Sequence, residues 1–238
     1  PYSAKTRFCI QYLVVRITSR RKKSAEISLN QYSNNPARLF MTNQLDPQLK
    51  LIKELIEFPT VSRDSNLELI NFISHYLKSY GIESKLIHSD CGKKANLLAT
   101  IGPNIGGGIV LSGHTDVVPV DGQDWHSEPF RVDQREGRLY GRGTSDMKSF
   151  CAIALSLVPE MQGLKQPIHL ALSYDEEVGC LGTKSLIKLI KEEIPEPLGV
   201  IVGEPTEMRI VTAHKGITHF LTTVTGYEAH SSQQHRGV

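Results

Sequence analysis

From Met41 onward, the apolar positions of this 238-residue chain fall into regular periods. Leu49, Ile52, Leu55 and Ile56 recur at helical spacing, and Pro59 stops that helix. Ser65 precedes a second periodic stretch, Asn66 to Tyr80, in which Leu69, Ile70, Ile73 and Leu77 form one face and Gly81 supplies the stop. Ile82 to His88 and Asn96 to Ile101 predict strands, and Gly106 to Gly108 turn the chain into the apolar run Ile109, Val110, Leu111. Arg131 to Arg135 and Arg138 to Tyr140, parted by Glu136-Gly137, predict a small hairpin. Thr144 or Ser145 is expected to cap a helix from Met147 to Val158. A strand over Ile168 to Tyr174, a helix near Thr183 to Glu193 and a short strand over Gly199 to Val202 follow. The alternation from Gly216 to Thr225 predicts a half-exposed strand opening a second domain. Strands alternating with helices call for an α/β sheet covered on both faces. Pattern alone leaves open whether that sheet is parallel or mixed.

Composition is that of an ordinary globular protein, and no apolar run approaches the roughly 18 residues needed to span a bilayer. The net charge of +2 conceals a division: residues 1–40 hold eight bases against the single acid Glu26, so +7 lies there and −5 in the remainder. A mildly acidic body does not suit a nucleic-acid partner. The basic head is rich in arginine and serine, as targeting peptides are. The better reading is upstream sequence ahead of a natural start at Met41, since the chain opens on Pro1 and regular patterning begins only after that methionine. The head shows no sustained amphipathic helix, so no membrane surface is expected as a partner. Cys9, Cys91, Cys151 and Cys180 are scattered without a C-x-x-C pair, which predicts free thiols in a reducing cytoplasm.

The candidate chemistry lies at strand ends. Ile109 to Gly113 leads into His114-Thr115-Asp116, Ile168 to Tyr174 into Asp175-Glu176-Glu177, and Leu198 to Gly203 into Glu204. Ligands of open α/β sheets bind at the carboxyl ends of the strands. Asp146 lies in the loop Gly141-Arg142-Gly143-Thr144-Ser145-Asp146 at a helix start. Taken singly, a His-x-Asp is most often a turn pair, a Glu-Glu pair a solvated helix start, and Asp146 a helix cap. Together these acids would repel one another unless cations lay among them, and imidazole plus carboxylate donors suit a zinc pair. Asp116 is spaced to reach the second nitrogen of His114, fixing its tautomer.

The motifs His114-Thr115-Asp116-Val117-Val118-Pro119, Gly141 to Lys148, Asp175-Glu176-Glu177 and Gly203-Glu204-Pro205-Thr206 resemble the dinuclear zinc exopeptidase and deacylase family. The resemblance covers essentially Met41 to Val238. Its members include acetylornithine deacetylases, succinyl-diaminopimelate desuccinylases, aminoacylases and peptidases. Ala213-His214-Lys215-Gly216, His230-Ser231-Ser232, Arg236-Gly237-Val238 and the segment from Trp125 to Phe130 look most like the acetylornithine deacetylase branch. The resemblance implies a mixed central sheet with helices on both faces. Residues 41–212 would be the first part of the zinc-binding catalytic domain and 213–238 the start of an α+β lid and dimerisation domain.

It further implies two Zn2+ ions per subunit, with Co2+ as an alternative. His114 and Glu204 would bind one zinc, Glu177 the other, and Asp146 would bridge them. Glu176 would be the general base, Asp116 would orient His114, and His230 would stabilise the oxyanion in the partner subunit of a homodimer. A second-zinc histidine, which the family carries near its C-terminus, has no match before Val238, so the piece by itself is expected to be inactive. The expected reaction of the whole enzyme is hydrolysis of N-acetylornithine to ornithine and acetate, a cytoplasmic step of arginine biosynthesis. Alternatives within the family are succinyl-diaminopimelate desuccinylase, another N-acyl amino acid hydrolase or a dipeptidase. A metal-binding protein without catalysis is the alternative outside it, and Glu176 argues against that, since a binder has no use for a base.

Overall fold

The computed structural model describes residues 46–237, apart from 214, 217–219 and 224. The basic head, Met41, Cys9, His214 and Val238 therefore lie outside the described residues. The first helix, α1 (Pro47–Ile56), opens with proline at its first position and with the Asp46 carboxylate accepting from the Gln48 amide at 3.1 Å. Its Leu51, Ile52, Leu55 and Ile56 are buried on one stripe. In α2 (Leu67–Ser79) the buried stripe is Leu69, Ile70, Ile73 and Leu77, and Gly81, at φ +74°, ends the helix in the left-handed conformation that glycine adopts without strain. Asn66 stands at its N-cap but makes no capping bond. Its amide is engaged elsewhere, with the main chain of Ala95 and with the Thr115 hydroxyl, each at 2.9 Å.

The strands β1 (Ser84–His88), β2 (Ala95–Ile101), β3 (Ile109–His114), β6 (Ile168–Ser173) and β7 (Gly199–Val202) form one sheet in the order β1-β2-β6-β3-β7. β2 runs antiparallel to β1 and β6, while β3 runs parallel to β6 and β7. The sheet is thus mixed, which settles what periodicity left open. A separate hairpin, β4 (Asp133–Arg135) with β5 (Arg138–Tyr140), turns on Glu136 and Gly137, both at positive φ (51° and 69°) as a two-residue hairpin requires.

β2 has apolar side chains facing both ways and is almost wholly buried. Leu97, Ala99 and Ile101 join the larger core with α1, α2 and α3 (Lys148–Ser156). Leu98 joins the smaller core with Val110, Ala171 and Leu186 of α4 (Thr183–Glu193). Helices therefore cover both faces. Each fully buried leucine or isoleucine, such as Leu55, Ile70 or Leu155, contributes about 1.5–3 kcal/mol of transfer free energy.

Two expectations differ from the structure. Helix α3 begins three residues after Ser145, with Met147 at its N-cap and no side-chain cap; the Thr144 hydroxyl instead donates to Gly141 O at 2.8 Å, within the loop. Residues 143–147 form turns that carry Asp146 to the rim of the sheet, and the helix starts only after them. The helix also stops at Ser156, with a 3₁₀ turn over Val158–Met161 where Pro159 lacks the donor to continue. In the proposed strand from Gly216 to Thr225, none of the described residues is in a strand, and Phe220 and Leu221 are 88% and 94% exposed. Alternation marks a face that suits a sheet, but a strand forms only where a neighbour completes its hydrogen-bond ladder.

Candidate metal centre

Parallel pairing in register brings the strand ends together. His114 lies opposite Ser173, two residues before Asp175, and Ser112 lies opposite Val202, two residues before Glu204. The Gly203 amide continues this pairing, donating to Ser112 O at 3.1 Å. Close packing fixes the last strand end: a Cβ on Gly203 would come within 2.1 Å of the Phe150 ring, so only glycine lets the chain pass before Glu204.

The structure gathers His114, Asp146, Glu176, Glu177 and Glu204 at this rim. His114, Asp146 and Glu177 each offer a donor atom within 4.8 Å of the others, and so do His114, Glu176 and Glu204. His114 Nε2 lies 2.9 Å from Asp146 Oδ1 and 3.7 Å from Glu204 Oε1. The imidazole is buried, whereas Asp146 and Glu204 are partly exposed, so the cluster opens to solvent on one side. His114 Nδ1 stands 2.9 Å from the main-chain oxygen of Asp116; a carbonyl only accepts, so Nδ1 carries the proton and Nε2 points its lone pair into the cluster when the ring is neutral. The Asp116 carboxylate is farther from Nδ1, at 3.6 Å for Oδ1. Its nearer partners are the Ser62 hydroxyl at 2.6 Å and the main-chain amides of Glu176 and Glu177 at 3.0 and 3.4 Å. The strand end that aims the histidine is thereby tied to the strand end that carries the two glutamates.

The electrostatics show a site short of positive charge. Burial, followed by the charge of Asp146, pushes Glu177 up to about 7, and the same two causes push Glu204 up to about 7. Burial opposes a charge on His114, yet hydrogen bonds to Asp116 and Asp146 and the charge of Glu204 overcome it and raise the ring to about 11. A proton on Nε2 then bridges to Asp146 in the position a cation competes for. For Asp116, burial disfavours ionisation, but the nearby His114 ring, 3.6 Å from Oδ1, and hydrogen bonds from Ser62 and the Glu176 amide outweigh it and hold the carboxyl below its ordinary range. One imidazole and four carboxylates converging on a partly open rim fit divalent cations with a preference for N and O donors, zinc among them.

His230 belongs to neither donor group. It is exposed at the N-cap of a 3₁₀ turn, Ser231–Arg236, with its Nδ1 2.8 Å from the Ser232 hydroxyl. Several supporting residues carried no signal in the local pattern. Thr60 and Ser62 follow the helix-ending Pro59; the Thr60 hydroxyl donates to Thr115 O at 2.5 Å, and Val61 bridges to Val117. Lys148 lies in a motif noted from sequence, yet it is fully buried, donates from Nζ to Phe58 O at 2.6 Å, and is pushed down to about 7 by burial. A lysine in the first turn of an otherwise apolar helix was the one available sign.

Comparison with known proteins places these residues in context. A profile described as peptidase family M20/M25/M40 matches residues 110–233, just over half of the chain, including His114, Asp146, Glu176, Glu177 and Glu204. The acetylornithine deacetylase of Pasteurella multocida strain Pm70 is 35% identical over 199 residues, which is 80% of this chain and 51% of the relative. The enzyme of the same name from Shigella sonnei strain Ss046 is 34% identical over 207 residues, 83% of this chain and 53% of the relative. The chain thus spans about half the length of the curated relatives it matches. An M20 family metallo-carboxypeptidase from Sulfolobus solfataricus superposes with a TM-score of 0.56 at 23% identity, covering 67% of this chain and 37% of that one. Human carnosine dipeptidase 1 superposes with the same TM-score at 20% identity, covering 65% and 38%. These two likenesses establish the fold.

Proposed function

Because the chain belongs to peptidase family M20/M25/M40, we propose that the whole protein is a metal-dependent amide hydrolase that converts N-acetylornithine and water to ornithine and acetate. The observation that carries this reading is the convergence of His114, Asp146, Glu176, Glu177 and Glu204 on one rim with too little positive charge among them. In this reading His114 and Glu204 would hold one zinc ion and Glu177 a second, with Asp146 serving both. When bound, the cations lower the pKa of a coordinated water toward about 7 and polarise the acyl carbonyl.

Glu176 takes the proton from the attacking water and passes it to the departing α-amine. Its backbone amide donates to Asp116 and its carbonyl accepts from the Gly179 and Cys180 amides, each at 3.0 Å, so the base is held at both ends of its peptide unit. His114 directs Nε2 into the cluster because Asp116 O occupies Nδ1. Residues 213–238 begin a lid and dimerisation domain, and His230 from one subunit supports the oxyanion in the site of its partner. This is consistent with the exposure of every described residue from Arg209 to Arg236, including Phe220, Leu221 and Tyr227, which need a covering surface. Among the described residues no helix is long and apolar enough to cross a membrane. The reaction is assigned to the cytoplasm as a step of arginine synthesis.

The test is an assay of the whole protein, loaded with zinc, on N-acetylornithine, N-succinyl-diaminopimelate and a dipeptide. Preferred release of acetate from N-acetylornithine is expected, with Glu176→Gln keeping its metal and losing roughly 10²–10⁴-fold in turnover. Preference for either other substrate would overturn the acetylornithine assignment, and inactivity on all three would overturn the hydrolase reading.

A further inference from the structure

A lysine that none of the motifs contains sits directly behind the metal rim. Lys94 precedes β2, and its main chain is anchored by paired contacts with Ser89: Ser89 N donates to Lys94 O at 2.8 Å and Lys94 N to the Ser89 hydroxyl at 3.2 Å. From this fixed base the ammonium group reaches two loops at once. It donates to Asp175 Oδ1 at 2.5 Å and to the main-chain oxygen of Ser62. The pair is largely enclosed, with the lysine and aspartate side chains 16% and 10% exposed, so solvent screens it far less than a surface ion pair.

Both loops end on the catalytic cluster. Ser62 donates its hydroxyl to Asp116, and Asp116 receives the amides of Glu176 and Glu177. Asp175 immediately precedes Glu176 and adopts φ +55°, a left-handed conformation uncommon for residues other than glycine, and its carboxylate is held there by Lys94. Leu181 N closes the same loop onto Asp175 O at 3.0 Å. The lysine therefore joins the loop after α1 to the loop after β6, and through Ser62 it shares a partner with Asp116, which holds the Glu176 amide.

Resting on the hydrolase reading above, we propose that Lys94 is a positioning residue: by bridging Asp175 and the Ser62 carbonyl, it fixes the left-handed turn that aims the Glu176 carboxylate. It touches no reacting atom and binds no metal. Its removal frees the turn at Asp175 while leaving His114, Asp146 and Glu204 on their own strand ends.

The experiment compares the whole, metal-loaded protein with Lys94→Met, which keeps the length and apolar stem of the side chain, and with Asp175→Asn, which keeps the shape of the acceptor. Amide hydrogen exchange is read in peptides covering 174–181, and kcat, KM and bound metal are read on N-acetylornithine. Each variant should exchange at least about tenfold faster in 174–181 with α1 and α2 unchanged. Each should also lose about 10- to 100-fold in kcat, the usual range for partners that support a site from behind, with KM and metal content held. The double variant should lose no more than either single one. Wild-type protection in 174–181 would overturn the proposal, as would a kcat within twofold of wild type in an active enzyme. Exchange rising equally throughout the domain would overturn it too, by showing fold-wide support instead of local aim. If Lys94→Met shows no cooperative unfolding, Asp175→Asn alone decides. If the wild type cleaves none of the substrates, the exchange result still decides on Lys94 while the functional reading fails separately.

Discussion

Replacing Asp116 by alanine probes the tie between the histidine strand and the glutamate loop. The carboxylate is buried and accepts from three donors. The Ser62 hydroxyl has a second acceptor in Val117 O at 3.4 Å, so its loss is small. The amides of Glu176 and Glu177 are left without the group that holds them, at about 1–3 kcal/mol for each donor stranded away from water. Two donors give about 2–6 kcal/mol; both residues are partly exposed and the Glu177 contact is long, which places the sum in the lower part, about 2–4 kcal/mol. Removing a buried charge also relieves its desolvation. That relief does not reverse the sign, because the folded environment holds Asp116 below its ordinary pKa and so favours the charged form on balance. The assay is urea unfolding of the metal-free whole protein by circular dichroism, comparing midpoints at unchanged slope. A loss under about 0.5 kcal/mol, the level of an ordinary surface substitution, would refute the reasoning.

Two further outcomes follow from the same geometry. Glu177 and Glu204 rise from 4.5 to about 7 on folding, so between those values the folded chain binds more protons than the unfolded one. Their stabilising contribution is complete below about 4.5 and lost as pH climbs through about 7; His114, raised from 6.5 to about 11, continues the loss above that. Zinc displaces these protons, so thermal scans should show a larger zinc-induced rise in Tm near pH 8 than near pH 5.5, and an equal rise at both would contradict the shifts. Gly203→Ala sets a methyl against the Phe150 ring, which should cost about 1–3 kcal/mol and weaken zinc binding by displacing Glu204. Wild-type stability and zinc affinity in this variant would show that the strand end is not tightly fixed.

Much of this arrangement was legible in the chain because it is written in short-range patterns. The helical spacing of Leu49, Ile52, Leu55 and Ile56 announces α1, although Leu51 is buried more fully than Leu49, and β2 shows as a short, nearly continuous apolar run because both its faces are covered. The strand-to-acid junctions at His114, Glu176 and Glu204 are equally local, and parallel pairing of β3 with β6 and β7 does the rest. What periodicity cannot display is a contact made across the fold. Ser62 meets Asp116 and Lys94 meets Asp175 across 54 and 81 residues of chain, with no spacing rule to mark either pair. Asp116 was expected to serve the histidine with its carboxylate, yet the nearer contact comes from its main chain, and the carboxylate turns to the glutamate loop. The helix cap expected at Thr144 or Ser145 failed for a related reason: the loop must deliver Asp146 to the rim, and the Thr144 hydroxyl is spent within it. Among the described residues of the 216–225 segment, alternation marked a suitable face but none lies in a strand.

Cations are the counterpart that this acidic rim requires. Elemental analysis of the whole protein purified without chelator, followed by Co2+ titration of the metal-free form, measures this directly. Two divalent ions per chain are expected, with stoichiometry falling in His114→Ala. A protein that arrives free of divalent metal and takes up neither zinc nor cobalt at micromolar concentration would contradict it.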